Sequence, residues 1–240
     1  MKLALIGYGK MGQLIEKIAL QRGHTIVARI DVDNMSDIHS DAFRSAEVAI
    51  EFTTPSAAVA NYREAWKEGV KVVSGTTGWT AQLDAVRQEV EASGYTLFWA
   101  SNFSIGVNLF MEANRRLAEL MNPYKQYGVR LSETHHTAKK DAPSGTAITL
   151  AETILPELDN YSNWALTDTT HAAPGTLPVE AIREGQVPGI HSLVYESDAD
   201  VITFTHSAKS REGFALGAVM AAEFAATHHG FLSMHDMIGF

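Results

Sequence analysis

The sequence predicts an α/β fold in which the first hundred residues build a doubly wound parallel sheet with helices on both faces. Three observations carry this. Short apolar runs alternate with amphipathic stretches from Leu3 to Ala100. Runs such as Val70 to Val73 are near-continuously apolar, as in strands covered on both faces. A glycine turn, Gly7-Tyr8-Gly9-Lys10-Met11-Gly12, joins the first run directly to the first amphipathic stretch. Strand, helix, strand at this spacing requires parallel strands linked by crossover helices.

The elements follow in order. Leu3 to Ile6 is the first strand. Met11 to Arg22 is a helix with Leu14, Ile15, Ile18 and Ala19 on one face, and Gly23 stands where a terminating glycine is expected. Thr25 to Ile30 is the second strand. Asp31 to Ala46 shows no good helical pattern, which predicts a short or irregular crossover. Glu47 to Phe52 is the third strand, Pro55 to about Glu68 a helix closed by Gly69, and Val70 to Ser74 the fourth strand. Thr80 is expected to cap a helix reaching Ser93, before a fifth strand from Tyr95 to Ala100.

Beyond Phe103 the pattern changes. A helix is expected from Val107 to Met121, a strand from Tyr127 to Glu133, and a helix to about Leu155 with Pro143 in its first turn. Asn160 to Pro188, rich in Thr, Pro, Gly and Ala, predicts a long loop with one short strand near Val179 to Arg183. His191 to Glu196 and Asp200 to His206 form an antiparallel pair, and an Ala- and Gly-rich helix runs from Arg211 to Thr227.

Composition narrows the partners. Nineteen Lys and Arg against 28 Asp and Glu give a net charge of −9, which argues against a broad nucleic-acid or anionic-membrane surface while allowing a local cationic pocket. The chain has no cysteine, so disulfides, thiolate metal sites and thiol nucleophiles are excluded. No run approaches the roughly 20 apolar residues of a membrane span, and Leu3 to Ile6 is too short for a signal-peptide core. A soluble, cytoplasmic chain acting on a small molecule is expected.

Three segments carry chemistry. In the first turn, Gly7 permits the tight bend, Gly9 a close approach of a pyrophosphate, and Gly12 helix–strand packing, while Tyr8, Lys10 and Met11 fill the places between them. The N–H groups and dipole of the following helix receive the phosphates. Asp31, 19 residues past Gly12, suits the ribose hydroxyls and favours NADH over NADPH, because a 2′-phosphate would face its carboxylate. Thr53, Gly75, Thr76 and Thr77, then Ala100, Ser101, Asn102 and Phe103, follow the third, fourth and fifth strands. Ligands bind at those carboxyl ends; turn chemistry and a helix cap at Asn102 are the blander accounts. The third segment, Glu133 to Ala147, gathers His135, His136, Lys139 and Lys140 before a helix start at Ser144, Gly145 and Thr146. It offers a proton donor, cations and free amides for a carboxylate. Zinc held by Glu133, His135, His136 and His206 is a weaker alternative, since neighbouring His on a strand point apart; no metal is expected.

The run His135-His136-Thr-Ala-Lys139-Lys-Asp141-Ala-Pro-Ser-Gly-Thr146, with Ser74-Gly-Thr-Thr-Gly78, Ala100-Ser-Asn-Phe103 and the glycine turn, resembles the dihydrodipicolinate reductases, also called 4-hydroxy-tetrahydrodipicolinate reductases. The motifs lie in family order and span nearly the whole chain. The resemblance implies a Rossmann domain, residues 1–103 and 212–240, interrupted by an α+β domain, residues 104–211, with a mixed sheet that binds substrate and builds a homotetramer. It implies reduction of hydroxy-tetrahydrodipicolinate to tetrahydrodipicolinate with NADH or NADPH, on the diaminopimelate route to lysine. His135 is then the proton donor or acceptor and Lys139 a second donor, and His136, Ser144, Gly145 and Thr146 bind the substrate. Gly7 to Gly12, Asp31, Thr53, Gly75 to Thr77 and Ala100 to Phe103 line the cofactor. Two departures bear on the nucleotide: the turn is shorter than in many members, and Val32 rather than Arg follows the acid. The alternatives are another nicotinamide-dependent dehydrogenase of a small carboxylate or semialdehyde, and an NADH-sensing protein without catalysis.

Overall fold

The computed structural model describes residues 1–168 and 171–239. Thr169 and Thr170, within the expected 160–188 loop, and Phe240, at the end of the expected 212–240 segment, lie outside the described residues. The chain divides into two units, Met1–Ile105 with Glu212–Phe240, and Gly106–Arg211.

The first unit holds a six-stranded, wholly parallel sheet. Its strands are β1 Lys2–Ile6, β2 Thr25–Ile30, β3 Val48–Glu51, β4 Lys71–Ser74, β5 Thr96–Trp99 and β11 Gly230–Leu232, in the order β11-β5-β4-β3-β1-β2. The helices are α1 Lys10–Gln21, α3 Pro55–Lys67, α4 Leu83–Ser93 and α7 Glu212–Thr227. Between β2 and β3 the crossover is irregular as expected, a 3-10 turn at Met35–His39 and the four-residue α2 at Asp41–Arg44. Leu3, Leu5, Val48 and Ile50 pack on one face against Ile15 and Ala19 of α1 and a row of α7 alanines. Ala4, Ile6, Ala49, Val72 and Leu97 pack on the other against Tyr62, Trp66 and Val86. The alanines and Gly217 of α7 allow close approach: a Cβ on Gly217 would run into the Phe103 carbonyl.

The second unit is a five-stranded mixed sheet, order β10-β9-β6-β8-β7, built from β6 Gly128–His135, β7 Asn163–Leu166, β8 Thr176–Arg183, β9 Ile190–Glu196 and β10 Val201–Ser207. It carries α5, Ile105–Met121, and α6, Gly145–Ile154. Leu131, Leu177, Val179, Leu193 and Tyr195 form its core with Leu150, Ala151 and Ile154 of α6.

Four local expectations are corrected. Thr80 does not cap α4; it opens a 3-10 turn after Trp79, and Gln82 precedes the helix. Pro143 is not in a helical turn: Ser144 is the N-cap of α6, its hydroxyl accepting the Ala147 N–H. The expected loop from 160 to 188 contains β7 and a longer β8, in which Leu177, Pro178 and Val179 are buried in a row and so lack the alternation of a half-buried strand. After α7 the chain adds β11 and the short α8, Met234–Ile238.

Candidate active site

In the first unit, Gly9 to Gly12, Phe52, Thr53 and Pro55 after β3, and Gly75 to Thr77 after β4 line a cleft of about 310 Å³. Gly7 has φ +92°, and a Cβ there would meet the Phe52 carbonyl. A Cβ on Gly12 would meet the Gly7 carbonyl, and one on Gly75 the Phe52 ring. Gly9 differs: nothing lies within 4 Å of the place a Cβ would take. The space over the start of α1 is therefore open, no side chain caps that helix, and its first turn holds no acid. Its free N–H groups fit a pyrophosphate. A Gly9→Val variant should fold with a near-native thermal midpoint yet lose most NADH affinity, whereas Gly7→Val should unfold at lower temperature; calorimetry and NADH titration check both.

At the end of β2, Asp31 accepts the Tyr8 N–H at 3.1 Å and the Val32 N–H at 2.8 Å. Its remaining lone pairs are available to hydroxyl donors. The other expected contacts divide. Thr53 and Thr76 line the cleft with their hydroxyls turned to a buried carboxylate, Glu51. The two indole N–H groups of Trp79 and Trp99 donate to the Thr76 carbonyl at 2.9 and 3.0 Å, fixing the loop after β4. Thr77 is exposed. Asn102 accepts the Ser104 N–H at 2.9 Å, a turn just ahead of the helix at Ile105 rather than a helix cap, and Phe103 is buried against Phe52 and Phe98. Ala100 is buried and Ser101 exposed. Phe103 thus contributes its side chain to the core.

The second unit assembles the imidazole segment. Period two along β6 puts Val129, Leu131, Glu133 and His135 on one buried face. Register does the rest. β9 sets His191 opposite Glu133, and β8 sets Arg183 opposite His135. Glu133 is fully buried. One oxygen accepts the Ser144 N–H at 3.0 Å and Arg183 Nη2 at 3.1 Å. The other lies 3.1 Å from His135 Nδ1 and 3.7 Å from His191 Nε2. Burial pushes the Glu133 carboxyl up, but hydrogen bonds from Ser144 and Arg183 outweigh it and hold the group below its ordinary value. Burial drives His135 below the usual imidazole range; Glu133 pulls it back and Lys139 and Arg183 push it down again. Burial, then His135, brings His191 down to about 4, so His191 is neutral at pH 7, with its Nε2 3.2 Å from the Ser144 hydroxyl.

Lys139 is half-buried and paired with Asp141 at 2.7 Å, and Arg183 donates to the Asp141 carbonyl at 2.6 Å. The His136 N–H donates to the Val187 carbonyl at 2.8 Å. Ser144 is buried with its polar groups engaged inward, while Gly145 is exposed and Thr146 half-buried at the α6 N-terminus. The arrangement can hold a carboxylate and pass a proton. Glu133, His135 and His191 also bring one oxygen and two nitrogens within 4.8 Å, a spacing a metal ion can bridge. Glu133 Oε2 and His135 Nδ1, 3.1 Å apart, make no hydrogen bond in this geometry, and Arg183 is the cation beside the carboxylate.

Sequence reasoning weighed Glu133 only as a zinc ligand and did not single out His191. A carboxylate at the buried phase of the Val129-Leu131-Glu133 alternation was a usable signal; His191 needed the strand register.

The buried imidazoles make acid sensitivity testable. Between the ordinary value of 6.5 and about 4, the unfolded chain binds a proton at His191 that the folded chain refuses. Stability therefore falls as pH drops through that window. Thermal midpoints should show the decline, and His191→Gln should flatten it; an unchanged slope would contradict this assignment.

Family comparison places two models on the chain. "Dihydrodipicolinate reductase, N-terminus" matches residues 1–103 and "Dihydrodipicolinate reductase, C-terminus" residues 106–238. The chain is 43% identical to the 4-hydroxy-tetrahydrodipicolinate reductase of Christiangramia forsetii, over 99% of this chain and 98% of that one. It is 33% identical to the Ralstonia nicotianae enzyme of the same name, over the full length of both. In fold it is similar to the dipicolinate-bound dihydrodipicolinate reductase of Paenisporosarcina sp. TG-14, with TM-score 0.78, 22% identity and 99% of each chain covered.

Proposed function

The chain belongs to the dihydrodipicolinate reductase family, and from that premise we propose that it reduces 4-hydroxy-tetrahydrodipicolinate to tetrahydrodipicolinate with a nicotinamide cofactor, on the diaminopimelate route to lysine. The observation that carries the residue assignment is the buried Glu133–His135 pair, set in one segment with Lys139 and the start of α6. When bound, the reduced nicotinamide supplies the hydride. Everything else falls to the chain. Glu133 orients His135, and His135 delivers the proton that accompanies the hydride. Lys139, His136 and the Gly145 and Thr146 amides fix the substrate carboxylates. One hydride and one proton enter, and one water leaves.

In the nucleotide cleft, Gly7 to Gly12 and the α1 N-terminus take the pyrophosphate, Asp31 the adenosine ribose, and the loops carrying Thr53, Gly75 to Thr77 and Ala100 to Asn102 the nicotinamide end. NADH is the preferred form. A 2′-phosphate would face Asp31, and Arg29, which could offset that charge, is paired with Glu16. We place the reductase in the cytoplasm as a homotetramer built on the mixed sheet, whose edge strand β10 presents Val201, Ile202 and Phe204 to solvent. No helix among the described residues is long and apolar enough to cross a membrane.

The test couples a synthase that generates the unstable substrate to this protein and follows nicotinamide absorbance. Substrate-dependent oxidation of NADH, weaker with NADPH, is expected. Binding of NADH without turnover would favour a sensing role, and turnover only with other carboxylates or semialdehydes would point to a different dehydrogenase.

A further inference from the structure

Glu51, the last residue of β3, is fully buried directly behind Thr53 and Thr76 of the nucleotide cleft. Its carboxyl contacts three hydroxyls: Thr53, Ser74 at 2.6 Å and Thr76 at 3.0 Å. The direction of each bond can be worked out. Thr76 Oγ1 already accepts the Thr53 N–H at 2.8 Å. Thr53 Oγ1 accepts from Asn61 at 3.2 Å. Ser74 Oγ accepts the Thr76 N–H at 3.2 Å and stands 2.7 Å from the Tyr62 hydroxyl. A hydroxyl has one proton. Each of the three is placed to send it to Glu51, with Tyr62 then placed to donate to Ser74. Three hydroxyls converging on one carboxyl, each already accepting another group, form a ready-made shell for a carboxylate.

No cation stands beside that carboxyl among the described residues: burial lifts it above the ordinary carboxylate value, against the hydroxyl and amide hydrogen bonds that pull it down. An unpaired interior charge is expensive to keep. The cleft in front of it is where the nicotinamide end is placed above, and this argument rests on that placement. A nicotinamide ring is neutral when reduced and positive when oxidised. We propose that Glu51 is an electrostatic positioning residue whose fixed charge favours the oxidised, cationic ring over the neutral reduced one, and so promotes departure of the hydride. The charge acts through the Thr53 and Thr76 loops without touching the ring, and it is preorganised by hydroxyls that do not move during the reaction.

The test is Glu51→Gln, with NADH and NAD⁺ affinities measured by calorimetry on wild type and variant. The pyrophosphate and adenosine contribute equally to both forms, so the ratio of the two affinities isolates the ring charge. NAD⁺ affinity should fall roughly tenfold relative to NADH, the size of one charge pair about 12 Å apart at an effective dielectric near 20. Equal changes in both affinities would mean that Glu51 only braces the loops, and would overturn the proposal. Failure of the wild type to bind either nucleotide would instead sink the cofactor reading itself. Should E51Q not fold, infrared spectroscopy of the wild-type NADH complex at neutral pH decides. Carboxylate bands alone support the charge, and a protonated-carboxyl band overturns it.

Discussion

His135→Gln should lower turnover by roughly 10²–10⁴-fold, the usual worth of a positioned general acid or base, with NADH affinity close to wild type. The argument runs through Glu133. Its carboxylate is locked by the Ser144 amide and the Arg183 guanidinium, which leaves the second oxygen to face His135 Nδ1 at 3.1 Å. A proton held on Nδ1 leaves Nε2 as the nitrogen free to exchange one with a substrate. Glutamine keeps the bulk and hydrogen-bonding character but has no proton to give near neutral pH. The assigned nucleotide contacts lie on the loops after β1, β2, β3, β4 and β5 of the first unit, whereas His135 ends β6 of the second. Steady-state kinetics beside an NADH titration separate the two effects. A large loss of NADH binding would move His135 into the cofactor site.

Lys139→Ala should cost roughly 10²-fold in kcat/KM, the scale of a lost hydrogen bond to a charged group. Lys139 is half-buried and its ammonium is held by Asp141 at 2.7 and 2.9 Å, so it is already ordered for a carboxylate that replaces Asp141. Lys67, which only pairs with Glu64 on the exposed side of α3, is the matched control, and Lys67→Ala should leave the rate unchanged. Near-equal rates for the two variants would end the assignment of Lys139.

How much of this was legible depended on whether the information was local. The parallel unit was written in periodicity and punctuation: β2 runs from Thr25 to Ile30 as the pattern indicates, and the irregular stretch after Asp31 is irregular in the structure. The small strand β11 was missed because three residues, Gly230 to Leu232, carry no period. β7 was missed because Asn163 to Leu166 is half exposed at a sheet edge. In the site, the His135 to Thr146 run was visible because its charged and small residues are contiguous. The partners that hold it are not contiguous. Arg183 and His191 reach Glu133 only through the registers of β8 and β9, which no spacing along the chain encodes. Glu51 was invisible for a related reason. A single acid at a strand end looks solvated until Ser74, Thr76 and Tyr62 are seen closing over it.

The central claim is that the hydride comes from the nicotinamide while the chain supplies the proton. The direct measurement uses NADH deuterated at its transferable position, with substrate generated in situ, and mass spectrometry of the product. One cofactor-derived deuterium in each tetrahydrodipicolinate, with less product but the same label per molecule when His135 is replaced, is the predicted result. Product formed without cofactor deuterium, or no product while NADH remains bound, would contradict it.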